Sequence, residues 1–472
     1  MSEVAVTYIN IILYAVSYQL QRPVEPFLVR SLIHERRQSD DANSNTTEES
    51  TANQTYGRLT SFFSLIQTVG SPLVGILLDR IGPRRTSILV YGASACSYAI
   101  LQRANTTTLL YLSKVPTLLQ HAFLVSQATV ASLPDESGRE EDSSARRAAA
   151  LGRLTTAYTI GATIGPALGG HLAKNDLYTG ARLAVWGSLV SVLLSVWFLR
   201  DHSKKYKDDA TVQDETDIST TQQTQSFLKS VKKTLSFLRH PTIGPLLFIK
   251  LLNGVSSSTF STALPLILAN KLFFSTAQLG YFMSASSISV ACFAAVAISP
   301  AMALVNNRPD RLAAIGLGCR LLSIIMFGVS VTWAISTLVV ESIQDEDSTL
   351  STRILAATTL ASVGVSLSSH MHATSLTTLT TGTVSAEERG AIIGLEHGIF
   401  AMARIVGPPL GTTLLSRGSS AAEGLWRVIL VCSLMELVLL VTLKVWSARW
   451  CTKIEPISDC THATLEEHNH SD

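Results

Sequence analysis

The sequence is poor in charged residues, which make up 15% of its 472 residues and leave a net charge of +2. Soluble globular domains carry about 25% charged residues, so this composition disfavours a soluble protein of this length. A net charge close to zero also gives no electrostatic reason to expect a nucleic-acid partner. Cysteine is equally scarce, and the six cysteines show neither zinc-ligand spacing nor a disulfide framework. We therefore predict that the chain holds no metal.

The motifs that carry common enzyme chemistry are missing as well. The sequence contains no phosphate-binding loop, no nucleotide-binding glycine pattern and no nucleophile elbow. We predict that the chain is not an enzyme and binds no cofactor. Any work that it does against a gradient must then be driven by another gradient, because nothing in the sequence predicts ATP hydrolysis.

Apolar residues, in contrast, are abundant. They make up 47% of the chain and gather into long stretches between islands of charge. A helix of about 20 apolar residues crosses the ~30 Å hydrocarbon core of a bilayer. Twelve such stretches predict an all-α integral membrane protein with twelve transmembrane helices. The predicted spans cover about residues 5–28, 58–78, 86–103, 108–132, 149–173, 181–199, 243–268, 278–304, 311–338, 354–383, 391–415 and 425–447.

Three hydrophilic segments separate or follow these spans. Residues 30–57 form a predicted loop with glycosylation sequons at Asn45 and Asn53, residues 200–242 form a polar linker, and residues 448–472 form a tail. Lys and Arg are in excess in the linker and the tail, so the positive-inside rule places both segments and both termini in the cytoplasm. The loop then faces the lumen or the outside. Both the plasma membrane and an endomembrane or vacuolar membrane fit this prediction.

The chain contains an internal repeat. Residues 146–172 align with residues 388–414 at a constant spacing of 242, which superimposes registered arginine, glycine and proline residues. The matched pairs are Arg147 with Arg389, Gly152 with Gly394, Gly165 with Gly407, Pro166 with Pro408 and Gly169 with Gly411. Parallel repeats of this kind occur in transporters whose substrate site lies between the halves. We predict two pseudo-symmetric six-helix bundles, residues 1–199 and residues 243–447.

A charged turn, "GILLDRIGPRR", joins the second and third predicted spans. Its pattern and its position resemble the cytoplasmic signature loop of the major facilitator superfamily. The resemblance implies a conformational latch that holds the two halves together in the outward-facing state. The residues that match or flank the motif are Gly75, Asp79, Arg80, Gly82, Arg84 and Arg85, whereas Pro83 stands where the family has a basic residue.

The fifth predicted span carries "GATIGPALGG", which resembles the helix-five signature of proton-coupled antiporters in that superfamily. The matching residues are Gly161, Gly165, Pro166, Gly169 and Gly170. "QRPVEPF" at residues 21–27 is similar to the end of helix one in twelve-helix drug:proton antiporters. "SAEERGAIIG" and the loop spacing resemble the tetracycline-efflux-like and organic cation transporter-like solute carriers. The resemblance implies a secondary active transporter that exchanges small cationic or amphipathic organic molecules for protons.

Ionisable side chains inside hydrocarbon cost several kcal/mol unless they are paired or face water, so they mark candidate sites. A coupling group needs a carboxylate or a histidine, and Glu25 is the first choice because prolines flank it; Glu396 and His121 follow. Arg22 and Glu25 also fit positions at the membrane interface. Glu436 fits such an interfacial position better than a functional site. The predicted cavity residues are Lys114, Gln120, Lys250, Asn253, His397 and Arg404.

Two other functions fit the same sequence. One is a facilitative uniporter or a proton symporter on the same fold. The other is a non-transporting receptor or scaffold that acts through the linker and the tail. The expected partners are a small-molecule substrate, protons and the lipid bilayer, with the chain working as a monomer.

Overall fold

The computed structural model describes residues 3–39, 48–131, 140–199, 236–341, 348–384, 389–417 and 421–450. Within these ranges the chain is helical and contains no strand, as the sequence predicts. The α-helices are α1 (Glu3–Gln19), α2 (Glu25–Ser39), α3 (Glu48–Leu101), α4 (Thr107–Lys114), α5 (Ala122–Ala131), α6 (Glu140–Leu172), α7 (Thr179–Phe198), α8 (Ile243–Lys271), α9 (Thr276–Val296), α10 (Ile298–Leu304), α11 (Pro309–Glu341), α12 (Ser348–Gly382), α13 (Arg389–Ser416) and α14 (Ala421–Trp450). Short 3₁₀ helices lie at Val115–Leu119 and Phe237–Arg239.

Seven helical segments in the described ranges are long and apolar enough to cross a membrane by length and composition alone. The other predicted spans are interrupted or polar, and the interruptions have visible causes. Span one breaks at residues 20–24, beside Pro23, and span four breaks at the 3₁₀ helix that contains Pro116. The second and third spans both lie in α3, where a kink at Gly82 separates them. The positive φ of 77° at Gly82 is a conformation that glycine adopts readily. The helix order fits twelve membrane passes.

The predicted loop at residues 30–57 is wrong over most of its length. Helix α2 continues to Ser39 and α3 begins at Glu48, so only residues 40–47 of that loop lie outside the described helices. The continuation is amphipathic: Leu28, Val29, Leu32 and Ile33 are buried in the core, although charged residues surround them. A hydropathy window averages over such a pattern, whereas a helical period of 3.6 residues would have found it.

The helices form two halves with a shared core at one end. At the end where α2 finishes and α3 begins, which we call the loop side, Leu20 and Leu28 of the first half share one apolar cluster with Phe260 and Phe327 of the second. At the opposite end, where α7 finishes and α8 begins, each half has its own core. We call this end the linker side.

Several polar contacts close the loop side between the halves. Lys271 of α8 binds Glu49 of α3 at 2.7 Å, and the Asn270 side chain donates to Asn53 Oδ1 at 3.1 Å. The Ser61 hydroxyl donates to the carbonyl of Ile405. On the linker side, a Cβ added at Gly75, Gly152, Gly394 or Gly398 would meet nothing within 4 Å. The protein is therefore closed on the loop side and open on the linker side.

Candidate functional site: the cavity between the halves

The cavity between the halves consists of two adjoining spaces of about 460 Å³ and 780 Å³. Ser64 and Tyr158 of the first half and Phe400 and Arg404 of the second line both spaces. The larger space extends to the linker side, because its lining includes the glycines of α13 at that end. Ligand pockets typically enclose about 300–1,000 Å³, so the cavity has the size of a small organic molecule.

Glu25 and Lys114 form an ion pair in a small side space of this cavity, which shares Arg22 and Arg404 with the 460 Å³ space. Two helix breaks bring them together: Glu25 starts α2 after the break at residues 20–24, and Lys114 ends α4 where the 3₁₀ helix begins. Both side chains are mostly buried, at 17% and 11% exposure, and the Lys114 ammonium lies 5.7 Å from the Phe63 ring centroid. The Glu25 carboxylate therefore has Lys114 as a fixed basic partner.

Arg22 and Arg404 line the same cavity from opposite halves. Arg22 lies in the break between α1 and α2 and is exposed, and Arg404 lies on α13 and is half-buried. In the described part of the chain, neither guanidinium has an acidic group within 4.0 Å or a side-chain hydrogen bond to protein. Arg404 was predicted as a cavity residue, and the structure places it there. Arg22 was treated as a charge near the interface.

The Lys250–Glu396 pair lies inside the second half. Lys250 of α8 binds Glu396 of α13 and donates to the Thr377 hydroxyl at 2.8 Å, and Thr380 also donates to Glu396. Glu396 is buried. Neither Lys250 nor Glu396 is among the described residues that line the cavity. The structure therefore places these two predicted site residues in the packed interior of the second half. Their pairing also explains why Arg404, two turns after Glu396, stays unpaired.

A second buried pair joins Arg320 of α11 to Glu436 of α14 at 3.3 Å, and both side chains are fully buried. Asn253 and Ser256 of α8 complete the cluster: Arg320 donates to both, and Ser256 donates to Glu436 at 2.7 Å. Asn253 was predicted to line the cavity, but it binds Arg320 instead. Our sequence analysis missed Arg320 and placed Glu436 at the interface. An arginine inside the predicted span 311–338, nine residues after Arg311 at its start, was the signal that could have found this cluster.

The remaining predicted site residues differ in how exposed their side chains are. His397 is exposed and His121 is half-buried, and both line the larger space near the linker side. Gln120 also touches the cavity but is buried, and its amide donates to the Tyr98 hydroxyl at 2.9 Å. The backbone carbonyl of Gln120 also accepts a hydrogen bond from the Tyr14 hydroxyl. Gln120 therefore anchors the broken fourth span.

The glycines of the helix-five motif serve two different contacts. Gly161, Gly165 and Gly169 face α1: an added Cβ would lie 2.6 Å from the Cβ of Ala15 at the first position and 2.5 Å from that of Gln19 at the second. Gly170 faces the other half instead, where an added Cβ would collide with the Thr276 carbonyl of α9. Small residues thus allow close approach both within the first half and between the halves.

Pro166 takes part in the contact between the halves, because its carbonyl lies against Gly280 of α9. In the repeat, Gly407 and Gly411 of α13 face Ser258 and Thr259 of α8 as Gly165 and Gly169 face α1. The repeat predicted from the sequence therefore reproduces the same helix contact in both halves.

The predicted latch residues lie on the open linker side. Arg84 donates to the Val196 carbonyl of α7, in its own half, at 2.6 Å. Arg80 and Arg85 are exposed, and Gly75 faces open space. The side chain of Asp79 lies outside the described part. A latch that holds the halves together in the opposite state stays a prediction, because this conformation separates the halves at that end.

Glycosylation at Asn53 stays a prediction, and this conformation does not favour it. This residue lies in α3, is 2% exposed and accepts a hydrogen bond from Asn270 of the second half. A glycan on its amide would not fit between the halves in this conformation. Asn45 lies outside the described residues.

Two helical halves that pack together at one end and enclose a polar cavity at the other define the class of this protein, a multi-span membrane transporter. The chain belongs to the Major Facilitator Superfamily, whose model matches residues 7–343. This membership confirms the resemblance to the superfamily that the charged turn carried.

Individual relatives agree with this family. The chain is 25% identical to solute carrier family 22 member 18 of Mus musculus over 377 residues, 76% of this chain and 80% of that protein. It is 26% identical to the class C tetracycline resistance protein of Escherichia coli over 196 residues, 41% of this chain and 44% of that protein. The crystal structure of the human organic anion transporter MFSD10 covers 93% of this chain and 98% of its own, with a TM-score of 0.55 and 18% identity. That last similarity concerns the fold alone.

Proposed function

We propose that this chain is a proton-coupled secondary active transporter that moves small organic molecules by alternating access between its two halves. The observation that carries the proposal is the Glu25–Lys114 ion pair on a cavity that is open at one end only. A carboxylate on the transport path can take up a proton from one side and release it to the other. When Glu25 takes up a proton, the charge of its partner Lys114 is no longer neutralised, and the cavity gains one positive charge.

The helix-five motif favours exchange of substrate for protons as the form of coupling. The relatives carry names of drug resistance proteins and of solute carriers, which supports a small organic substrate without fixing its charge. The cavity disfavours the cationic substrate that the sequence predicts, because unpaired guanidiniums line it.

The test is transport by the purified full-length protein in liposomes. A panel of labelled organic anions, neutral solutes and organic cations is offered with the proton gradient absent, inward or outward. We expect saturable flux of one class, and a gradient of one direction should accelerate it. Exchange requires acid on the side opposite the substrate, cotransport requires acid on the same side, and a uniporter ignores the gradient. A scaffold protein would show no saturable flux with any solute.

Glu25→Gln identifies the coupling group. We expect the variant to keep substrate counterflow and to lose at least about tenfold of the gradient-driven acceleration, because an amide cannot carry the proton. The matched control is Glu396→Gln, which removes the other carboxylate paired with a lysine, and this variant should keep its response to the gradient. Full gradient-driven transport by Glu25→Gln would exclude Glu25. Size-exclusion profiles confirm that both variants are folded.

A further inference from the structure

The charge on the cavity lining is unbalanced. Arg22, Lys114, Arg320 and Arg404 line the cavity and its small side space together with one carboxylate from the described residues, Glu25. Lys114 is paired with that carboxylate, and Arg320 is paired with Glu436 behind the lining. Two positive charges therefore remain without a counter-charge on the lining, in a space that hydrocarbon and protein surround.

The two unpaired guanidiniums differ from the other buried bases of the chain. Lys250 and Arg320 each have a carboxylate partner inside the second half. Arg22 and Arg404, in contrast, extend into the cavity from opposite halves. An unpaired charge at membrane depth is costly unless water or a ligand neutralises it, so their positions fit a group that binds there.

Arginine also suits a particular kind of ligand. Its planar guanidinium presents several donors in a fixed fork that matches a carboxylate or a sulfonate, and it keeps its charge at every physiological pH. Two such forks on one cavity would hold an anionic group from two directions.

One part of the lining is suited to an apolar body. Phe260, Leu264, Met283 and Phe400 of the second half supply apolar surface to the smaller of the two spaces. Most other residues on this space are polar and carry hydroxyl groups, chiefly of serine, threonine and tyrosine. A polar cavity with one apolar patch suits an amphipathic molecule.

We propose that the cavity binds an organic anion, with its carboxylate or sulfonate between Arg22 and Arg404 and its apolar body against the second half. This inference rests on the proposed transport function and adds the substrate class and the two residues that select it. It replaces the cationic substrate predicted from the sequence.

The arrangement also gives the substrate a role in the conformational change. Closing the linker side brings the halves together around the cavity, with a guanidinium on each half. Two like charges repel strongly in a medium of low dielectric constant. An anion between them removes the repulsion, so the loaded carrier closes more readily than the empty one. A transporter that closes only when loaded exchanges substrates and does not leak.

The experiment uses three solutes with the same naphthalene body: 1-naphthylacetate, the neutral 1-naphthylacetamide and the cation 2-(1-naphthyl)ethylammonium. Binding to the detergent-purified full chain is measured by ligand-induced thermal shift, and flux is measured in liposomes. We expect the anion to bind at least about tenfold more tightly than either analogue. Arg22→Gln and Arg404→Gln should each weaken anion binding about 10-fold to 100-fold, as expected for the loss of one charge-assisted contact.

Arg404→Lys should recover part of the binding, since charge is kept and the fork is lost. The control is Arg153→Gln, which removes an exposed arginine of α6 outside the described cavity lining and should leave anion binding unchanged. Preference for the cation or the amide, or equal anion binding by wild type and both glutamine variants, would overturn the inference. A cation-selective flux would refute this inference and leave the transport function standing, whereas no saturable flux of any solute would refute the transport function itself.

Discussion

The two halves share a repeat but place their charges differently. The first half puts Arg22, Glu25 and Lys114 on the cavity. The second half buries two ion pairs among its own helices, Lys250 with Glu396 and Arg320 with Glu436. The first half is therefore organised to bind and to titrate, and the polar interior of the second half is organised to hold its helices together.

Corresponding positions make the contrast sharper. The spacing of 226 that aligns Arg85 with Arg311 also aligns Ser94 with Arg320. A small buried hydroxyl in the first half is thus replaced by an arginine in the second. In the first half the link between α1 and α7 is a neutral hydrogen bond from Asn10 to the Ser195 hydroxyl at 3.2 Å. A neutral hydrogen bond therefore links these helices of the first half, whereas an ion pair links helices of the second half.

The largest effect should come from breaking the ionic core. Arg320→Met leaves the carboxylate of Glu436 buried without its partner, so we expect a loss of about 3–5 kcal/mol in the free energy of unfolding. Asn10→Leu, which removes the neutral hydrogen bond between α1 and α7 of the first half, should cost about 1–2 kcal/mol. Thermal unfolding of the purified variants, followed by intrinsic fluorescence, measures both.

The double variant Arg320→Met with Glu436→Leu serves as the control, because it removes both charges. It should recover most of the stability that Arg320→Met loses. Equal losses for Arg320→Met and Asn10→Leu would contradict the assignment of an ionic core to the second half alone.

Helix-five glycines separate contacts within a half from contacts between halves. Gly170→Val places bulk against Thr276 of the other half and should favour the state that is open on the loop side, by about 1–3 kcal/mol. Gly165→Val places bulk against Gln19 of the same half and should lower stability without changing that equilibrium. The readout is maleimide labelling of Asn53→Cys, which is buried in the closed state, in a background with the native cysteines replaced by serine.

We expect Gly170→Val to accelerate this labelling at least about fivefold, with Gly165→Val close to the parent protein. The reverse order would show that the two glycine faces had been assigned to the wrong partners.

The charge of Glu25 should appear in anion binding. Glu25→Gln removes the carboxylate that neutralises Lys114 and adds one positive charge to the cavity, so the variant should bind an anion more tightly than wild type. The other titratable or charged groups that face Glu25 are Tyr18, Arg22, Tyr56, Tyr98 and Arg404. 1-Naphthalenesulfonate is the probe, because its own charge does not change with pH. We expect about a tenfold change, the size of one moderately screened charge.

Glu396→Gln should bind the sulfonate as wild type does, because Glu396 is not among the described residues that line the cavity. Equal or weaker sulfonate binding by Glu25→Gln would contradict the placement of Glu25 beside the bound anion.

The fold was largely predictable because the bilayer dictates the length of each apolar run. The charged turn and the glycine motif could be recognised in the sequence because the residues of each motif lie close together along the chain. The breaks beside Pro23 and Pro116 have local signals too, yet their exact positions depend on packing. The pairing of Lys250 with Glu396 had no such signal, because 146 residues separate the two partners.

The cavity charge was out of reach for a related reason. From the sequence, Glu25 and Glu396 were both candidates, and nothing local indicated which base would neutralise each. In the structure Lys114 pairs with Glu25 and Lys250 pairs with Glu396, which leaves Arg22 and Arg404 without a carboxylate within 4.0 Å among the described residues. Substrate class therefore depended on contacts between distant helices.

The smallest effect should come from the ion pair that closes the loop side. Lys271 and Glu49 are partly exposed, at 15% and 39%, so their pairing is worth at most about 1 kcal/mol. Lys271→Gln should therefore accelerate labelling of Asn53→Cys no more than about fivefold. Raising the salt concentration should accelerate the parent protein in the same way and leave the variant unchanged, because salt screens an exposed pair. A larger acceleration, or a variant that still responds to salt, would mean that charges other than this pair hold the loop side closed.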